Sequence, residues 1–147
     1  MAHNSLVPEL SVADLKRSLV FYQNILGFKV DYERPEDRFV FMSFYGSELM
    51  LEQDTEKPSP WNILPFDYPR GRGLNLQIAC PNAEELIGNL RQAGIPLQKP
   101  AEDCWYRGNE VLHGQRNFLV QDPDGYLLRF AQSLGTKPVS QKSSGGF

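Results

Sequence analysis

At 147 residues, 41% of them apolar and 22% charged, the chain is sized for one domain, or one built from two similar halves, with core enough to fold without disulfides. Fifteen Lys and Arg against eighteen Asp and Glu leave a net charge of −3, the wrong sign for a phosphate-backbone binder. Residues 39–45, which include Ser43, are the longest apolar stretch, far short of the ~20 that cross a bilayer, and residues 1–10 lack the blocks of a signal peptide. The expectation is a cytoplasmic chain with no membrane or nucleic-acid partner.

Pro8, Leu10 and Val12 alternate with polar residues, a half-buried strand that Pro8 places at an edge or a strand start. Asp14 is a helix N-cap. Leu15, Ser18, Leu19, Tyr22, Ile25 and Leu26 then follow one face of a 3.6-residue period up to Gly27, so an α-helix is predicted over 14–26. Strands are predicted at 28–34, 38–45 and 48–53, separated by turn residues. Residues 54–73 carry four prolines and two glycines without periodicity, and read as the connection between halves. Trp61, Phe66 and Tyr68 inside it favour a packed loop.

The first pattern then returns. Leu74, Leu76, Ile78 and Cys80 alternate. Asn82 replaces Asp14 as cap, with Glu85 placed to complete a capping box, and Ala83, Leu86, Ile87, Leu90 and Ala93 repeat the helical face up to Gly94. GSELMLEQ at 46–53 corresponds to GYLLRFAQ at 125–132, both ending in Gln. Strand-helix-strand-strand-strand therefore occurs twice, over about 5–54 and 73–132, joined by a loop at 55–72. The second copy carries an insertion around 101–114, and 136–147 reads as a disordered tail after a single domain spanning 1–135. The predicted fold is α+β: paired βαβββ modules forming a curved, cup-shaped mixed sheet with helices on its convex side.

VPELSVADLKRSLVFYQNILGFKV at the start and FLVQDPDGYLLRFAQ near the end resemble the vicinal oxygen chelate superfamily, which includes glyoxalase I, extradiol dioxygenases and bleomycin-resistance proteins. Its metal-using members carry ligands, usually His and Glu, at four strand positions. These correspond here to Val7, Met50, Asn75 and Arg129, of which only Asn75 offers an oxygen. The chain is most similar to the bleomycin-resistance branch, which implies no cofactor, stoichiometric binding of a cationic drug, and a homodimer in which the strand around Pro8 is exchanged. The competing class is a metal-dependent lyase or dioxygenase of the same superfamily.

Alternation puts Glu9, Glu48, Met50 and Glu52 from the first module and Asn75 and Arg129 from the second on the cup face, as a lining that orients a ligand. The competing reading is a set of ordinary surface salt bridges, each worth ~0–1 kcal/mol. Trp61, Trp105 and Tyr106, in the irregular segments, suit a stacking wall for a planar ligand. His113 joins the ligand-binding candidates. Neither it nor Cys104 has the partner residues that catalysis or a zinc site would need, and no Gly-rich phosphate loop or Ser-His-Asp signature is present.

Overall fold

The computed structural model describes residues 2–57 and 59–139. Among them are eight strands and two α-helices: β1 (Glu9–Val12), α1 (Leu15–Leu19), β2 (Lys29–Arg34), β3 (Phe39–Phe44), β4 (Ser47–Gln53), β5 (Asn75–Ala79), α2 (Ala83–Gln92), β6 (Lys99–Gly108), β7 (Val111–Gln121) and β8 (Leu127–Pro138). They form two mixed four-stranded sheets, ordered β1-β4-β3-β2 and β5-β8-β7-β6. In each sheet the first strand runs parallel to the last and the other pairs are antiparallel, so the fold is α+β and the βαβββ repeat is present twice. No helix among the described residues is long and apolar enough to cross a membrane.

The chain divides into two units. One is the chain up to Gly73 together with Asp122–Tyr126, and the other is Leu74–Gln121 with the chain from Leu127 onward. In the first, Leu10, Val12, Val40, Met42, Leu49 and Leu51 are buried, and α1 packs against β4. In the second, Phe118 stacks on Phe130 at 5.3 Å, and Ala83, Leu86, Ile87 and Leu90 of α2 are buried.

The repeated glutamines have a structural job. Asp14 accepts from Arg17 N at 3.3 Å while Gln53 Oε1 accepts from Leu15 N at 3.0 Å. In the second module Asn82 accepts from Glu85 N at 3.2 Å and Gln132 Oε1 from Ala83 N at 2.8 Å. The last strand of each module thus satisfies an N–H that the helix start leaves open.

Three expectations need correction. The helix predicted over 14–26 is α-helical only to Leu19, and Val20–Ile25 winds as a π-helix, with Leu26 N bonded to Phe21 O at 3.0 Å. The wider turn lets the adjacent Phe21 and Tyr22 both be buried, which an α-helix with a single apolar stripe does not arrange. The insertion at 101–114 is not irregular. Most of it is the β6–β7 hairpin, closed by a two-residue loop with Asn109 at φ 60, and it escaped the pattern because β6 is exposed along most of its length and so shows no alternation. The tail predicted from 136 begins inside β8, where Thr136, Lys137 and Pro138 pair with His113, Leu112 and Val111. Residues 140–147 lie outside the described residues.

Candidate ligand-binding site

In the first unit, β1 runs beside β4 with Glu9 opposite Met50 and Ser11 opposite Glu52. Alternation turns these four side chains, with Glu48, away from the face carrying Leu10, Val12, Leu49 and Leu51. Glu9, Ser11, Glu52, Asp54, Trp61 and Asn62 line a depression of about 90 Å³. Burial and the charge of Glu52 push the Glu9 carboxyl above the usual carboxylate range, with Arg34 acting in the opposite sense.

The connecting loop forms the rest of the wall, held by contacts that sequence reasoning missed. Ser11 Oγ donates to Asn62 Oδ1. Arg70 donates to both Asp54 oxygens at 3.0 and 2.7 Å and to Ser11 O at 2.9 Å, and its guanidinium lies 4.3 Å from the centre of the Phe66 ring. Asp54 is therefore neutralised, whereas Glu9 and Glu52 have no ion-pair partner among the described residues. Trp61, on the rim, is 75% exposed. A second depression of about 480 Å³ adjoins the first, shares Asp54, Thr55, Ser59 and Asn62 with it, and adds Leu64 and Phe66.

Glu48 is not free to meet a ligand. It accepts from His3 Nδ1 at 2.9 Å and from Asn4 N, bonds that hold its carboxyl below the usual range. The His3 ring packs on Phe41 at 4.5 Å, so His3 is docked on the sheet. A larger cavity of about 600 Å³ lies at the start of α1, lined by Asp14, Lys16, Glu33, Arg38 and Phe39 among others, and contains none of the ligand-binding candidates.

In the second unit, Asn75 and Gln77 on β5 are exposed, and Arg129 on β8 pairs with Gln77 on one side and Leu119 on the other. Tyr106, cross-strand from His113, accepts from Asn117 Nδ2 at 3.2 Å. Trp105 and Tyr106 cannot form one stacking wall, because adjacent strand residues point to opposite faces. Trp105 packs against Gly114, where an added Cβ would lie 2.6 Å from its ring, and Lys137 Nζ sits 3.9 Å over that ring.

The sequence pattern of the Glyoxalase/Bleomycin resistance protein/Dioxygenase superfamily matches residues 4–130. The chain belongs to that superfamily. Relatives of this superfamily member include lactoylglutathione lyase of Salmonella typhimurium, 30% identical over 127 residues, which span 84% of this chain and 88% of the lyase. Bleomycin resistance protein of Geobacillus stearothermophilus is 26% identical over 137 residues, with 87% and 96% covered. Two solved structures share the fold. A virulence protein of Salmonella typhimurium has a TM-score of 0.62 at 19% identity, covering 90% of this chain and 98% of its own. A fosfomycin resistance protein of Listeria monocytogenes has a TM-score of 0.56 at 18% identity, covering 89% and 92%.

A divalent metal does not fit the four strand positions where the family resemblance puts its ligands. An aliphatic side chain (Val7), a thioether (Met50), an amide (Asn75) and a permanent cation (Arg129) supply neither carboxylate nor imidazole. Among the described residues no group of three or more His, Cys, Asp or Glu is placed to hold a metal ion.

Proposed function

We propose that this superfamily member is a metal-independent binding protein for a cationic aromatic small molecule, of the bleomycin-resistance type, held on the Glu9–Glu52–Trp61 face. The observation that carries this reading is the pair of unpartnered carboxylates around one depression beside an exposed indole. Two adjacent negative charges favour a cation. An aromatic face adds a cation–π contact worth ~0.5–1 kcal/mol when exposed and ~2 kcal/mol when the ligand excludes water. We further propose that the protein acts as a cytoplasmic homodimer, for which light scattering is expected to give twice the 16.7 kDa chain mass and a monomer at micromolar concentration would refute the assembly.

Calorimetric titration with bleomycin tests the site. Glu52→Gln and Trp61→Ala are each expected to weaken binding about tenfold, ~1.4 kcal/mol, while Trp105→Ala leaves the affinity unchanged. Binding is expected to weaken as pH falls into the carboxylate range, because the Glu9 proton removes half of the charge pair, and to do so at higher pH than for an unperturbed glutamate. The lyase relatives favour a second reading at the level of family likeness. Lactoylglutathione lyase activity that requires an added divalent metal would overturn the binding-protein reading, as would equal bleomycin affinity in all three variants.

A further inference from the structure

We infer that the second unit carries an oxyanion site, built by Arg129 and Asn117 with Tyr106 holding the amide in place, that takes a carboxylate-bearing small molecule. The register of the sheet places Arg129 between Gln77 and Leu119, so neither cross-strand neighbour supplies a counter-charge. Among the described residues no carboxylate pairs with it, and its Nε is sealed from water with no acceptor. A buried guanidinium N–H without a partner is an orphan that needs an explanation.

Asn117 leaves a second one. On the same face of β7, two residues from Leu119, it donates Nδ2 to the Tyr106 hydroxyl at 3.2 Å, and its Oδ1 is sealed and unpartnered. The hydroxyl is also hydrogen-bonded to Cys104, whose own S–H goes to Glu102, so it steadies the amide and is not a free donor. The Arg129 charge is close enough to act on the Tyr106 phenol, which the hydrogen bond with Cys104 raises above its ordinary pKa and Arg129 lowers. Glu102, the carboxylate cross-strand from Asn117, is held by Lys99 Nζ at 3.3 Å and accepts from Cys104 Sγ at 3.7 Å, so it does not neutralise Arg129.

The cluster thus presents a fixed cation toward an anion, with an amide oxygen, steadied by Tyr106, left to accept. A guanidinium edge matches a planar carboxylate, and the unpartnered Asn117 oxygen suits a hydroxyl on the neighbouring carbon. The ligand class is a 2-hydroxy carboxylate.

The site stands apart from the cation-binding reading of the first unit, and its test reads different residues. The Arg129 Nε–H resonance of the full-length protein is followed by NMR during titration with mandelate, benzoate and benzylamine. Mandelate is expected to move it saturably, benzoate to do so more weakly, and benzylamine not at all. Asn117→Asp, which sets an internal carboxylate beside the guanidinium, is expected to weaken mandelate at least tenfold, and Glu52→Gln to leave it unchanged. Arg129→Met, read by calorimetry, is expected to abolish binding while the melting midpoint holds or rises. No saturable shift at millimolar mandelate, the same shift with chloride, or undiminished affinity in Asn117→Asp would each overturn the assignment, whatever the bleomycin titration gives.

Discussion

Gly125→Ala is expected to be among the most damaging single-methyl additions in this chain. Gly125 has φ +95, and a Cβ there would lie 2.6 Å from both Cα and Cβ of Pro69 and 3.0 Å from the Tyr68 ring. The clash is with backbone, so no side-chain rotation relieves it. A left-handed alanine costs ~1–2 kcal/mol, and overpacking adds ~1–3 kcal/mol, together a large share of the ~5–15 kcal/mol that holds a domain folded. The repeat supplies its own control. Gly46 occupies the matching position of the first module, with φ +90 and nothing within 4 Å of the added Cβ. Gly46→Ala should therefore show the conformational cost alone. Urea or thermal denaturation of the two variants measures the difference, and equal losses would mean that the Pro69 contact has no energetic weight.

The second large effect is expected at Asp122. Its carboxylate is 3% exposed. It accepts from Tyr22 O–H at 2.6 Å, Asp124 N at 2.9 Å and Tyr126 N at 3.0 Å. Burial raises its pKa from 3.8 to about 6, against those three donors. The folded protein therefore holds this proton more tightly than the unfolded chain does. The stability it contributes is fully present below about pH 4 and is lost as pH rises through about 6, on the order of 3 kcal/mol in all.

Asp122→Asn keeps an acceptor for the two backbone N–H groups and is expected to flatten the change in stability between pH 4 and 6. Asp122→Ala is expected to be far worse at every pH, because it orphans three buried donors at ~1–3 kcal/mol each. Denaturation midpoints of the parent and both variants across that range decide it. An unchanged pH slope in Asp122→Asn would place the titrating group elsewhere.

The repeat, the caps and the sheet faces were legible because period-two and period-3.6 patterns report which side is buried, and both modules bury one side. Glu9, Glu52 and Trp61 were legible as candidates for the same reason and because an aromatic in an otherwise polar loop stands out. The Arg70–Asp54 and Ser11–Asn62 ties were not, since they join segments 16 and 51 residues apart with no periodicity to mark them. Trp105 misled in the other direction. Its neighbours Glu102 to Arg107 look like a binding loop, but on an exposed strand the same composition alternates between two faces. DPDG could be read as a family signature; that its first Asp bonds to Tyr22, 100 residues earlier, could not.

That bond has a consequence for how the protein is made. The first unit includes Asp122–Tyr126. Those residues supply the partner of Tyr22, the acceptor for Ala13 N at 3.1 Å through Asp124, and the Tyr126 hydroxyl that donates to Ser11 O at 2.9 Å. A nascent chain emerging from the ribosome at ~5–20 residues per second exposes residues 2–73 for several seconds before that corner is synthesised. Until then β1 and the π-helix lack these closing contacts, and a stop codon placed at the boundary between the sequence repeats would release a fragment without them.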